Sequence, residues 1–274
     1  MKKILVPTDF SQNAKKATDF ALMLFDAQDA EITLLNTFYI PYSVPDISYS
    51  VNDLSYENAK QLFEKEKERI KESFPDLKAT ISTKFSIGDV VNVASSVEDD
   101  FDVIVMGTKG ASGLAEVFIG SRTSAMVRSV SIPLLVVPEE AEVKLPKRIL
   151  FATDETLTDP KINIDILKKI AVKNKSEIDA LYMSNDDEDK TAIKAFIGSE
   201  VTVHLTDIPH QLKIQDGENV ELAINEFVAN NPVDLVAMIT NKGNLFHNLF
   251  HKSVTKSVVM HTKMPLLVMQ RKLN

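Results

Sequence analysis

Four of the chain's eight glycines, Gly107, Gly110, Gly113 and Gly120, fall within fourteen residues. The apolar run Val103-Ile104-Val105-Met106 leads into them, and a helical pattern from Ser121 to Val130 follows. A buried strand, a glycine loop and a helix N-terminus together make an anion site. Glycine lets the backbone approach closely and take positive φ. The loop amides and the unpaired N–H groups of the first helical turn then converge on a phosphate, helped by the helix dipole. The spacing is neither G-x-x-x-x-G-K-[ST] nor G-x-G-x-x-G, so neither a Walker A loop nor a dinucleotide fingerprint is present. A tight turn alone is the competing explanation for the glycines. Asp9 and Ser121 are also good helix caps, a role compatible with ligand binding.

The elements around this loop alternate. Strands are expected at 3–7, 31–37, 79–85, 102–106 and 133–137, and helices at 11–27, 52–74, 89–98 and 121–130. The segment 38–56 reads as a loop. Continuous apolar runs suit parallel strands covered on both faces, and the alternation implies βαβ units. In such sheets ligands sit beyond the carboxyl ends of the strands. In Glu64-Lys65-Glu66-Lys67-Glu68-Arg69, the alternating charges read as the solvated face of a helix, with Leu62, Phe63, Ile70 and Phe74 beneath.

The pattern occurs twice. Lys3-Ile4-Leu5-Val6-Pro7-Thr8-Asp9 is echoed by Arg148-Ile149-Leu150-Phe151-Ala152-Thr153-Asp154, and Ile132-Pro133-Leu134-Leu135-Val136-Val137 by Met264-Pro265-Leu266-Leu267-Val268-Met269. The offsets, 145 and then 132, leave the second copy about a dozen residues short. Domains are expected at 1–141 and 145–274, joined near Glu139 to Pro146. The fold class is α/β: two tandem, doubly wound, five-stranded parallel-sheet domains.

The 274 residues carry a formal net charge of −8, divided as −7 over residues 1–141 and −1 over residues 142–274. Neither half has the basic excess that nucleic acid demands. No apolar run approaches the ~20 residues of a membrane span. The N-terminal apolar stretch stops at Pro7, too early for a signal peptide. There is no cysteine, which excludes disulfides and thiolate sites and suits a cytoplasmic protein.

The spacing Gly107-x2-Gly110-x9-Gly120-Ser121, with the opening Val6-Pro7-Thr8-Asp9-Phe10-Ser11 and the closing Pro133-Leu134-Leu135-Val136-Val137, resembles the universal stress protein family over nearly the whole chain. The resemblance implies a Rossmann-like fold of the adenine-nucleotide alpha-hydrolase type, with strand order 3-2-1-4-5, that binds ATP, or AMP or ADP in its place, with or without Mg2+. It implies that Pro7, Thr8 and Asp9 end the first strand, with Asp9 near ribose and adenine. Thr37 and Phe38 would flank the base, and Met106 and Gly107 would border the adenosine. Gly110, Gly120, Ser121, Arg122 and Thr123 would surround the phosphates, with Lys109 and Arg122 adding positive charge. It further implies a stress-response role as a regulatory or interaction module. Two alternatives stand beside this: a slow ATPase or self-phosphorylating protein using Ser121 or Ser124, and a nucleotide-free interaction protein. The apolar terminal strands 133–137 and 265–269 are candidates for pairing, giving an intramolecular pseudo-dimer or a homodimer.

The second copy departs from the motif. Gly107, Gly110 and Gly120 fall on Ile239, Lys242 and Lys252, with Gly243 the glycine left in that loop. Asp154, Ser253 and Thr255 persist, but the cradle is lost, so this domain is expected not to bind ATP in the same manner. His247 and His251 have the i,i+4 spacing of a zinc site, yet Asn248 replaces the glutamate of H-E-x-x-H and no third ligand is identifiable. No metal site is expected.

Overall fold

The computed structural model describes residues 2–38, 48–108, 121–153, 157, 159–160, 162–184, 190–216, 220–240 and 264–271. Two compact units divide the chain, Met1–Glu139 and Glu140–Asn274.

The first unit runs β1 (Lys2–Pro7), α1 (Gln12–Phe25), β2 (Ala30–Phe38), α2 (Ser48–Ser73), β3 (Thr80–Ile87), α3 (Val90–Val97), β4 (Val103–Gly107), α4 (Ser121–Ser129) and β5 (Leu134–Val137). Its strands are parallel in the order β3-β2-β1-β4-β5. From β1 the chain steps outward to β2 and β3, then returns to β4 on the other side. The switch point, where such sheets open a crevice, lies between β1 and β4. These two strands carry the core: Ile4, Leu5, Val6, Ile104 and Val105 have no exposed surface. The continuous apolar runs reflect burial on both faces.

Helix α1 starts where Ser11 Oγ accepts the Ala14 amide at 3.3 Å. Ala14, Ala17, Ala21 and Phe25 lie buried on it. Small residues at three- and four-residue spacing let the helix lie close to the sheet. Helix α2 begins at Ser48, inside the segment read from sequence as loop. The charged face of α2 is not wholly solvated either. Phe63 and Ile70 are buried as expected, but so is Glu66, 3% exposed. Arg69 grips both Glu66 oxygens, at 3.0 and 2.8 Å, and reaches Asp19 of α1 at 2.7 Å. A charge pattern alone cannot show that one member of the run turns inward to meet a neighbouring helix.

The second unit runs β6 (Arg148–Thr153), α5 (Asp165–Asn174), β7 (Glu177–Ser184), α6 (Lys190–His204), β8 (His210–Asp216), α7 (Val220–Asn230), β9 (Leu235–Thr240) and β10 (Leu266–Gln270). Its parallel order, β8-β7-β6-β9-β10, repeats the first. Strand registers locate the shortening. The offset is 146 where Ile32 matches Ile178, 129 where Ile81 matches His210, and 132 where Val103 matches Leu235. The loss therefore falls between the second and third strands, where the 26-residue α2 is matched by the 15-residue α6, and a small part of it is regained before the fourth.

A carboxylate device recurs at the start of each copy's first strand. Asp102 accepts the Lys3 amide at 2.8 Å. Asp234 accepts the Lys147 and Arg148 amides at 2.9 and 3.0 Å, and Lys144 Nζ at 3.0 Å. Partial burial pushes the Asp234 carboxyl up, but Lys144 and the two amides outweigh it and hold it below its usual value. Its stabilisation is therefore present above the ordinary aspartate pKa and is lost as pH falls through the lower folded value. Asp234→Asn is expected to flatten the acid limb of the second unit's stability below the ordinary aspartate range, removing about 1 kcal/mol at neutral pH after solvent screening. Denaturant titrations across that range check this; an unchanged acid limb would contradict it.

Candidate functional site

A cleft opens over the carboxyl ends of β1 to β4, lined by Pro7, Thr8, Asp9, Ala14, Asn36, Thr37, Gly88, Asp89, Val90, Met106, Gly107, Thr108, Arg122 and Thr123. Each wall has a local cause.

Beyond β1, the Thr8 amide is held by Leu35 O at 2.8 Å. Thr8 Oγ1 accepts the Phe10 amide at 3.0 Å and Asp9 Oδ1 the Ser11 amide at 3.1 Å. These bonds fold the chain so sharply that Phe10 takes φ +62°, an uncommon conformation for an aromatic residue. Its ring packs edge-on against Phe63 of α2, centroids 5.2 Å apart. The helix cap is thus Ser11, while Asp9 braces the turn and lines the cleft.

Asn36 continues the wall on β2, its amide donating to Thr8 O at 2.7 Å, and Thr37 follows. Phe38 does not line the cleft; its carbonyl accepts the Gly88 amide at 2.8 Å. That bond ties the end of β2 to the turn after β3. Gly88 sits there with φ +136°, a backbone open to glycine and strained for other residues. Asp89 then caps α3, its Oδ1 accepting Val91 N at 2.9 Å and Asn92 N at 3.4 Å.

The fourth wall is the end of β4. Asn13 of α1, 4% exposed, lies behind it. Its Nδ2 donates to Val137 O at 3.1 Å, and its Oδ1 accepts from Thr108 Oγ1 at 3.4 Å. A Cβ on Gly107 would stand 2.6 Å from Asn13 Oδ1 and 3.0 Å from the Asn13 carbonyl oxygen. Gly107 is thus glycine because a buried asparagine occupies the space behind it. Thr123 of α4, 1% exposed, turns its hydroxyl toward Gly107 O at 3.4 Å, fixing α4 against the strand end. Arg122 projects from the same turn into the cleft.

Of the residues expected from sequence, the cleft brings together Pro7, Thr8, Asp9, Thr37, Met106, Gly107, Arg122 and Thr123. Ser121 begins α4, and its side chain lies outside the described residues, as do Lys109, Gly110, Gly113 and Gly120. Sequence reading did not single out Asn13, Ala14, Asn36, Gly88, Asp89, Val90 or Thr108. For Gly88-Asp89 a signal existed: a glycine ending a strand and an aspartate before an apolar helix mark a turn and an N-cap. Asn13 and Asn36 carry no such signal.

In the second unit, Asp154, Lys242, Gly243, His247, His251, Lys252, Ser253 and Thr255 lie outside the described residues; Ile239 is in β9. What is described differs from the first unit. An offset of 145 from Gln12 would start the helix at residue 157, yet α5 starts at Asp165. The described residues from 157 to 164 are not helical. Leu157 is buried, its amide donating to the buried Glu200 carboxylate at 3.0 Å, and Asp159 pairs with Arg271. Among the described residues of the whole chain, no helix is long and apolar enough to cross a membrane.

Residues 1–138 match the sequence model of the universal stress protein family. Universal stress protein Slr1230 of Synechocystis is 23% identical over 189 residues, which are 69% of this chain and 64% of that protein. The match thus spans less than two thirds of that relative's length. Universal stress protein MJ0577 of Methanocaldococcus jannaschii is 28% identical over 154 residues, 50% of this chain and 94% of that protein. The crystal structure of a universal stress protein from Archaeoglobus fulgidus shares the fold, with a TM-score of 0.75 and 22% identity over 98% of this chain and 96% of that one.

Proposed function

Because the chain belongs to the universal stress protein family, we propose that its first unit binds an adenine nucleotide, ATP or ADP or AMP, as the signal of a stress-response regulatory module. The observation that carries this is the convergence of Asp9, Gly107, Arg122 and Thr123 on one cleft at the sheet's switch point. The donor set fits the ligand. At one end are a strand end kept free of side chain and an arginine, groups suited to phosphates, with the Thr123 hydroxyl holding α4 beside them. Asp9 is a carboxylate that can accept hydroxyl or amino donors of the nucleoside. The nucleotide supplies the phosphoryl chemistry; the residues here bind and orient it. The second unit, in which the helix after β6 starts only at Asp165, serves a structural or partner-binding role and does not hold ATP in the same way. The nucleotide is held as a state marker, and sustained phosphate release would argue for turnover instead.

Arg122→Ala is expected to weaken ATP about three- to tenfold, the loss of one charge-assisted phosphate contact in a partly solvated site. Calorimetric titration of the full-length chain measures it. Equal affinity in the variant would place the phosphates elsewhere.

A further inference from the structure

The cleft is electrically lopsided. Among its described lining residues the cation is Arg122, on α4 beside the end of β4, while the carboxylates are Asp9, after β1, and Asp89, after β3. In the strand order, β4 and β3 stand three spacings apart, about 14 Å at ~4.8 Å per strand. That is roughly the length of a nucleotide. A ligand with its 5′-phosphates at the Arg122 end must therefore bring its nucleoside part toward Asp89.

Asp89 is not free to swing clear. Its Oδ1 is committed to the Val91 and Asn92 amides. The residue before it, Gly88, is fixed by its bond to Phe38 O. The carboxylate, with its charge, is therefore held exposed at the edge of the cleft.

Resting on the nucleotide reading above, we propose that Asp89 is a specificity-determining residue that makes this end of the cleft reject a second phosphoryl group. The site then takes nucleotides phosphorylated at the 5′ position and discriminates against those also phosphorylated on the ribose 2′ or 3′ oxygen. Neutral hydroxyl and amino donors are accepted there, because a carboxylate is an acceptor; a dianion meets like charge.

The isomeric pair adenosine 5′-diphosphate and adenosine 3′,5′-bisphosphate isolates the effect, since both carry two phosphoryl groups on one nucleoside. Asp89→Asn is the informative substitution. Asparagine is as good an N-cap as aspartate, so α3 keeps its start while the charge is removed. Titration of the full-length protein is expected to show preference for the 5′-diphosphate. In Asp89→Asn the affinity ratio should move toward the 3′,5′-bisphosphate by about three- to tenfold. The shift should shrink near 1 M salt, as charge repulsion at an exposed rim must. If Asp89 is only a helix cap, the ratio will not move at either salt concentration, and the proposal is overturned. In that case 5′-diphosphate binding persists and the nucleotide reading stands; loss of 5′-diphosphate binding by the unaltered protein would bring down both.

Discussion

Gly107→Ala is expected to destabilise the first unit by about 3 kcal/mol and to lower nucleotide affinity at least tenfold. The added Cβ would stand 2.6 Å from Asn13 Oδ1 and 2.8 Å from its Cγ, distances that real Cβ atoms do not tolerate. Turning the Asn13 amide aside does not resolve the clash cheaply. It gives up the bonds to Val137 O and Thr108 Oγ1 and leaves a buried amide unpaired. Shifting β4 instead moves Gly107 and Thr108, which carry the floor of the cleft. The mechanism is testable by a double-mutant cycle. Asn13→Ala by itself should cost about 1–3 kcal/mol. The two changes together should cost less than their sum by about 1 kcal/mol or more, since the second alanine opens the space that the first one needs. Equilibrium unfolding monitored in the first unit, with nucleotide affinity measured in parallel, decides it. Additive costs would mean that Gly107 and Asn13 are not in contact.

Arg69→Met should cost a similar amount, about 3 kcal/mol, although Arg69 and Glu66 are three apart on a helix and such pairs contribute little at a surface. The deciding fact is that Glu66 is 3% exposed. Without the guanidinium its carboxylate remains buried without its counter-charge. Asp19, with a side chain 26% exposed, can fall back on water. Glu66→Leu combined with Arg69→Met should therefore recover most of the loss, because an apolar pair of similar volume removes the stranded charge. The consequence extends to the cleft. Glu66 lies one turn from Phe63, whose ring packs on Phe10 in the strained turn that presents Asp9. A loss under 1 kcal/mol in Arg69→Met, or no recovery in the double variant, would show that the triad is ordinary surface charge.

Much of the architecture was legible in the residues. Apolar runs such as Val103–Met106 are long enough and pure enough to be central parallel strands, and the observed β4 is Val103–Gly107. The duplicated Lys3–Asp9 and Arg148–Asp154 segments disclosed the repeat, and the observed strand orders of the two units agree with it. Other features depend on contacts between residues far apart in sequence. Asn13 meets Val137 across 124 positions and Asn36 meets Thr8 across 28. No local pattern announces such a pairing. The inward turn of Glu66 likewise depends on α1 lying beside α2. The start of α2 at Ser48 went unread because the tyrosines and prolines of 38–56 read together as loop, although the prolines, Pro41 and Pro45, both precede the helix. Gly88-Asp89 was hidden differently: both residues fell inside or beside a predicted helix, so their roles as turn and cap went unread.

The central claim is one adenine nucleotide held in the first unit's cleft. Isothermal titration of the full-length protein with ATP tests it most directly, because the heat gives stoichiometry together with affinity. Saturation is expected at one equivalent per chain, and Arg122→Ala should weaken it. No binding, or saturation at two equivalents with both units occupied, would contradict the account.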